Sequence, residues 1–292
     1  MRLLVTGSHG QVAQALRALG QPGLDVTTLG RPELDITDAE SVARAIRRHQ
    51  PDVVVNAAAY TAVDTAEREV DAAFAVNATG AGHVAAVAAA HDLPVIHLST
   101  DYVFAGDKPT PYVESDPTGP QSAYGRSKLA GETAVAVANP RHVILRTAWV
   151  YAPYGANFLR TMLRLANDQP AVRVVADQLG TPTYAPDLAD GILVVARRLC
   201  EDGAPSGLFH MVAAGETTWA GFAEEIFRQS AALGGPSARV QPIASTDYPR
   251  PARRPANSRL DTTRVRATFG HALPAWQDGV RRCLVALELR DR

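Results

Sequence analysis

Lysine is almost missing from this chain: of its 29 basic residues only Lys108 and Lys128 are lysines, and the other 27 are arginines. Cysteine is equally scarce. Cys200 and Cys283 stand far apart with no metal-ligand spacing and no disulfide framework, so a reduced cytoplasmic setting is expected. Neither sign of charge dominates, since 29 basic side chains meet 30 acidic ones for a formal net charge of -1. That balance argues against a nucleic-acid partner and against a polybasic membrane anchor. No apolar run approaches the roughly 18 residues of a membrane span. The opening Met1-Arg2-Leu3-Leu4-Val5-Thr6-Gly7 reads as a strand entering a turn and not as a signal peptide. What is present is apolar bulk. The 292 residues are 46% hydrophobic, enough for one large or two modest domains without covalent staples.

The first half alternates short β-rich runs with helical stretches. Leu3-Leu4-Val5, residues 26–29, Val53-Val54-Val55, residues 95–98 and Val143-Ile144-Leu145 are predicted as buried strands, being short, apolar and bounded by turn signals. Helices are predicted over residues 11–19, 65–76, 77–90 and 122–137. Another is expected from Thr37, where Thr-Asp-Ala-Glu offers a capping box with Glu40, to a stop before Pro51. This alternation implies an α/β fold, a Rossmann-type doubly wound parallel sheet. The last third reads differently, with helices near 186–199, 219–230 and from Trp276, and a proline- and arginine-rich loop over 245–258. A dinucleotide-binding domain over 1–150 and a smaller α/β substrate lobe over 151–292 are expected, with a soft boundary that the chain can cross.

Gly7-Ser8-His9-Gly10-Gln11-Val12-Ala13 follows the first strand and opens the first helix. Its glycines allow a tight turn and close approach of a pyrophosphate to backbone amides, and Ala13 allows close helix–strand packing. A plain strand-to-helix turn explains the same spacing, and only the position after strand one favours a dinucleotide. The second strand ends Leu29-Gly30-Arg31 without the acid that would accept a ribose 2′-hydroxyl. Arg31 can instead pair with a 2′-phosphate, which points to NADPH with NADH still allowed; a solvated loop arginine is the bland alternative. Asp35 and Ile36 can flank the adenine, and Ala57, Ala58 and Ala59 put small side chains at a strand end that must approach a cofactor.

Tyr124 and Lys128 are spaced to project from one helix face, downstream of the hydroxyl-bearing Ser99-Thr100-Asp101. An ammonium beside a phenol draws its pKa toward the range of a working general acid. The rival reading is an exposed helix pair. A chance Tyr-x-x-x-Lys is rare in a chain with eight tyrosines and two lysines.

At these residues the chain resembles the extended short-chain dehydrogenase/reductase superfamily, and within it the dTDP-4-dehydrorhamnose reductase family. The resemblance runs nearly end to end. It rests on the glycine turn, Tyr124-Gly-Arg-Ser-Lys128, residues 56–64, Ser99-Thr-Asp-Tyr-Val-Phe104, residues 146–151, residues 177–183 and residues 254–261. The first two motifs belong to the whole superfamily, and the others together are much narrower. The resemblance implies NADPH-dependent reduction of the C4 keto group of a dTDP-linked 4-keto-6-deoxyhexose. Tyr124 would be the proton donor, Lys128 would bind the nicotinamide ribose and tune Tyr124, and Thr100 would be the third catalytic hydroxyl. Gly10, Gln11 and Val12 would line the pyrophosphate, Asp35 and Ile36 the adenine side, and Ala57, Ala58 and Ala59 the nicotinamide half. Thr100, Asp101 and Trp149 would hold the sugar.

Each assignment has a plainer counterpart. Trp149 at a strand end is by residue type more often core than ligand, Asp101 can cap a turn, and Arg254 and Asn257 fit a diphosphate rim or a brace equally well. Some members of the family build a metal-dependent dimer contact from acidic residues, one of them just after the glycine turn. Here that stretch is Ala13-Gln14-Ala15-Leu16, so neither the metal nor that dimer is carried over, although a homodimer of another kind is allowed. Two alternatives stay open: a regulatory binding subunit on the same scaffold, as in a subunit of methionine adenosyltransferase, and a reductase of another dTDP-4-keto sugar used in antibiotic glycosylation.

Overall fold

The structure, a computed structural model, describes residues 1–288 apart from residue 202. The first half runs β1 Arg2–Thr6, α1 Gln11–Arg17, β2 Asp25–Leu29, α2 Ala39–His49, β3 Val53–Asn56, α3 Val70–Phe74, α4 Ala81–Ala90, β4 Val95–Thr100, α5 Ala123–Ala138 and β5 His142–Thr147. The second half runs β6 Val150–Tyr151, α6 Phe158–Asp168, β7 Ala171–Val175, β8 Leu179–Gly180, β9 Thr183–Tyr184, α7 Ala185–Leu199, β10 Gly207–His210, β11 Thr217–Thr218, α8 Trp219–Ala232, β12 Arg239–Ile243, α9 Thr263–Phe269 and α10 Trp276–Glu288.

Six strands form one parallel sheet in the order β10-β5-β4-β3-β1-β2. Because side chains alternate across a strand, β1 sends Leu3 and Val5 to one face and Leu4 to the other. Leu3, Val5, Val53 and Val55 join a core with α1 and α7, while Leu4, Val54 and Ile144 join one with α2 and α4. Both faces are covered, which explains the unbroken apolar runs in these strands. The helix α7 and the strand β10 come from the second half of the chain and complete this layer. On the same side α9 packs through Val265 and Phe269. Most of the remaining half forms a second core, where α6, α8 and α10 pack around the β7–β12 pair with Phe222, Ile226, Trp276 and Val280 between them.

Three expectations need correction. The cap of α2 is Asp38, whose side chain accepts from the Glu40 amide at 2.9 Å. Thr37 is unavailable because its amide and hydroxyl both donate to Asp35, at 2.9 and 2.7 Å. Residues 70–90 are one continuous helix with a wide turn over 75–80, where a break was expected. Among the described residues it is the one helix long and apolar enough, by length and composition, to cross a membrane, so the expectation that no stretch approaches that length does not hold. In this fold Val84, Ala85 and Ala88 of that helix are buried in the core beside the sheet. Asn77, inside the wide turn, exchanges hydrogen bonds with the backbone of Tyr60 and donates to Ser127 Oγ at 2.9 Å. A Cβ at Gly131 of α5 would collide with the Asn77 carbonyl, so glycine there allows the two helices to touch.

Candidate active site

Winding reverses at β1, which has β2 on one side and β3 on the other, so a crevice opens beyond the carboxyl ends of β1 and β3. Gly7 turns the chain at that point with φ +86°, and a Cβ on it would lie 2.9 Å from Ala58 Cα. Only glycine meets both demands. Gly10 caps α1 without a side-chain acceptor, which leaves the first-turn amides at Gln11 and Val12 for an anion. Small residues at 57–59 and the bare glycine turn fit a dinucleotide. The Gln11 side chain is engaged elsewhere. It donates to the Val150 carbonyl at 3.3 Å and accepts from Asn157 at 2.9 Å, tying this turn to the cap of α6.

Just beyond β2 Arg31 is exposed but not alone. Its Nε lies 2.8 Å from an Asp35 oxygen. Burial raises the Asp35 pKa, but hydrogen bonds from Thr37 and Arg31 outweigh it and hold the carboxyl below the usual range. The Ile36 side chain is buried under Gly80 in the core, so any contact it makes with a ligand falls to its backbone, whose carbonyl lies 3.3 Å from His83 Nδ1.

Thr100 closes β4, and Tyr124 and Lys128 occupy the first turns of α5, whose cap is Ser122. Helix and strand end meet closely because Gly125 follows Tyr124: a Cβ there would strike the Tyr102 carbonyl. Thr100 is near enough to the Tyr124 hydroxyl to oppose its upward shift, and the Tyr124 ring meets that of Tyr102 edge to face at 5.5 Å. Burial pushes the Tyr124 phenol well above its ordinary value, the Thr100 contact opposing this and the Asp101 charge adding to it. Lys128 is not among these influences, contrary to the expectation that its ammonium draws the phenol down. Its Nζ is turned inward instead, donating to the Leu98 carbonyl at 2.7 Å and standing 3.3 Å from His97 Nε2. Burial brings Lys128 down to about 8, with Glu132 pulling the other way. Asp101 is buried too and accepts from the Thr100 hydroxyl at 3.1 Å. Burial pushes it up to about 6 against the lowering effect of Ser258, Thr100 and Arg254.

Beside this group lies a cleft of 840 Å³ between the two halves, lined by Asp64, Tyr102, Phe158, Trp219, Arg250 and Arg254 among others. Trp149 takes a left-handed backbone, φ +49°, and its ring stacks on Trp219 at 3.6 Å. The loop over 245–258 forms part of the cleft wall. Arg254 pairs with Asp64 at 2.9 Å and lies over the Tyr102 ring, whereas Asn257 donates to the carbonyls of Lys108 and Thr110 and acts as a brace. Sequence reasoning missed Asp64, Tyr102, Trp219 and His97. Tyr102 and Asp64 lie inside motifs that were recognised, but no local signal aims them at the cleft.

The family described as RmlD substrate binding domain matches residues 1–289. A relative from Sinorhizobium fredii named dTDP-4-dehydrorhamnose reductase is 50% identical over all of this chain and 99% of its own length. The solved dTDP-4-dehydrorhamnose reductase of Clostridium acetobutylicum superposes with a TM-score of 0.92 at 36% identity, covering 99% of this chain and 100% of that one. That of Bacillus anthracis, solved in complex with NADP, gives 0.91 at 33% identity, over 98% and 99% of the two chains.

Proposed function

From the fact that this chain belongs to the RmlD substrate binding domain family, we propose that it is an NADPH-dependent reductase of a dTDP-4-keto-6-deoxyhexose, with dTDP-4-dehydrorhamnose as substrate and dTDP-L-rhamnose as product. The reading rests on Tyr124 and Lys128 on successive turns of α5, Thr100 at the end of β4 beside them, and a cleft of 840 Å³ lined by Tyr102, whose ring packs on that of Tyr124. The Sinorhizobium relative carries the name of that activity and the Bacillus relative binds NADP, which supports both substrate class and cofactor. Residues 1–150 chiefly hold the dinucleotide and 151–292 the sugar nucleotide, with α7 and β10 crossing back.

In this reading Gly7, Gly10, Gln11 and Val12 hold the pyrophosphate, Arg31, Asp35 and the Ile36 backbone face the adenosine, and Ala57, Ala58 and Ala59 leave room for the nicotinamide. Bound NADPH supplies hydride for the sugar C4. Tyr124, kept protonated by burial, gives its proton to the C4 oxygen as negative charge develops there. Thr100 would turn its hydroxyl proton from Asp101 to the same oxygen. Lys128 would leave the Leu98 carbonyl and His97 to hold the nicotinamide ribose, and Asp101 and Trp149 orient the sugar. Arg250 and Arg254 offer fixed cations for the diphosphate.

The test is NADPH oxidation by the purified chain with dTDP-4-dehydrorhamnose, followed by identification of the sugar product. Turnover giving dTDP-L-rhamnose supports the reading in full. Turnover only with another dTDP-4-keto sugar relocates the substrate. Tight NADPH binding without turnover on any of them favours a binding subunit.

A further inference from the structure

Beneath the site runs a buried polar chain that ends on Lys128 and whose other members the proposed reaction does not use. Thr6, Asn56, His97 and Lys128 are 0, 1, 0 and 2% exposed. The Ala58 amide donates to Thr6 Oγ1 at 3.1 Å, and the Thr6 hydroxyl donates to Asn56 Oδ1 at 2.7 Å. Asn56 Nδ2 stands 3.0 Å from His97 Nδ1, and His97 Nε2 stands 3.3 Å from Lys128 Nζ.

The far end of this chain sets its direction. A backbone amide can only donate, so Thr6 Oγ1 accepts from Ala58 and passes its own proton to Asn56 Oδ1. The Asn56 NH2 then faces His97, whose Nδ1 must accept. The opposite amide orientation would aim two donors at Thr6 Oγ1 and strip the hydroxyl proton of its acceptor in a dry layer. Burial, with the Lys128 charge adding to it, holds His97 neutral, well below the usual histidine range. A neutral imidazole with an accepting Nδ1 carries its hydrogen on Nε2. That hydrogen points at Lys128 Nζ, which can receive it only as a neutral amine.

We propose that His97, locked in its Nε2–H tautomer by Asn56 and Thr6, is a positioning residue that turns the lone pair of Lys128 inward and disfavours the ammonium form. The other groups around Lys128 fit this assignment. Glu132, one turn along α5, favours the ammonium, but it is already engaged by Arg146 of β5 at 2.8 and 2.6 Å and by Ser99 of β4. Tyr124, one turn back on α5, and Asp101 beyond β4 face each other and Thr100. The part of Lys128 in turnover rests on the reductase reading; the tautomer of His97 does not.

Two measurements test this. The first is ¹⁵N-histidine NMR of the full chain, with His97 assigned by its loss in His97→Gln. A proton on Nε2 and none on Nδ1 is expected, and a proton on Nδ1 or an imidazolium overturns the proposal. The second is the pH profile of kcat/KM in Thr6→Val, which frees Asn56 to turn its oxygen toward His97 and so invert the tautomer. The alkaline limb then moves up by about one pH unit, as Nε2 now accepts from the ammonium. An unmoved or lowered limb counts against the proposal. Should Thr6→Val not fold, Asn56→Asp, an acceptor toward both Thr6 and His97, is expected to give the same upward shift. Absence of turnover with an intact Nε2–H tautomer would sink the reductase reading alone.

Discussion

Arg146 on β5 grips Glu132 on α5 through two near-parallel hydrogen bonds, Nε to Oε1 at 2.8 Å and Nη2 to Oε2 at 2.6 Å, with both side chains almost wholly buried. The pair clamps α5 to the sheet one helical turn beyond Lys128. Breaking one side strands a charge in a dry layer. Glu132→Gln is expected to cost about 3–5 kcal/mol in urea unfolding. Glu132→Leu with Arg146→Met, which removes both charges, should recover much of that loss. A single variant as stable as the parent would show that water reaches the pair.

Tyr124→Phe removes the proposed proton donor and keeps its ring packed against Tyr102. A positioned general acid is worth roughly 10²–10⁴-fold, so kcat should fall by that factor while NADPH binding is retained. Turnover at the parent rate in a folded variant assigns the proton to another group.

Lys128→Arg conserves charge in a chain that favours arginine everywhere else. The slot is closed, however: Nζ fits between the Leu98 carbonyl and His97 with almost no exposure. A planar fork is too broad for it, and overpacking costs about 1–3 kcal/mol of stability. Donors displaced by about 1 Å cost on the order of 10²-fold in rate. Thermal unfolding and kcat should therefore both fall, and a variant with full activity would remove Lys128 from the site.

Cofactor choice should follow the Arg31–Asp35 pair. Arg31→Ala is expected to weaken NADPH use by about 1.5–3 kcal/mol, the value of a charge-assisted contact, and to spare NADH. The deciding measurement is kcat/KM with each of the two cofactors. Equal losses mean that Arg31 serves only as a partner for Asp35.

Asp101 gives stability a particular pH dependence. Its folded pKa, about 6, lies above the ordinary aspartate value of 3.8. Between those values the folded state keeps a proton that the unfolded chain has lost, so stability falls as pH rises through that window. The full effect is about 3 kcal/mol. Asp35, Asp52 and Asp116 are shifted downward and act in the opposite sense. The readout is therefore the difference between the parent and Asp101→Asn, followed by urea unfolding from about pH 4 to 7. Parallel curves would mean that Asp101 keeps an ordinary pKa in the fold.

Much of this protein is determined locally. The runs at 3–5, 53–55 and 143–145 are short and apolar, with turns close by, and they could only become strands buried on both faces. The glycine turn, the proline and glycine boundaries and the Tyr124–Lys128 spacing act within a few residues, where steric rules and helix periodicity apply directly. Other features depend on neighbours distant in sequence. Thr37 loses the cap of α2 to Asp38 because Asp35 already holds it, and residues 70–90 stay helical because Asn77 finds partners at Tyr60 and Ser127. The inward turn of Lys128 depends on β4 lying beneath α5, and the polarity of the Thr6–Asn56–His97 chain on β1, β3 and β4 being neighbours in the sheet. Sheet order is decided by which faces can be buried together, and side-chain spacing along one segment carries no record of it. Tertiary structure alone therefore placed Trp149 against Trp219 and Arg254 against Asp64, 190 residues away, to build the cleft.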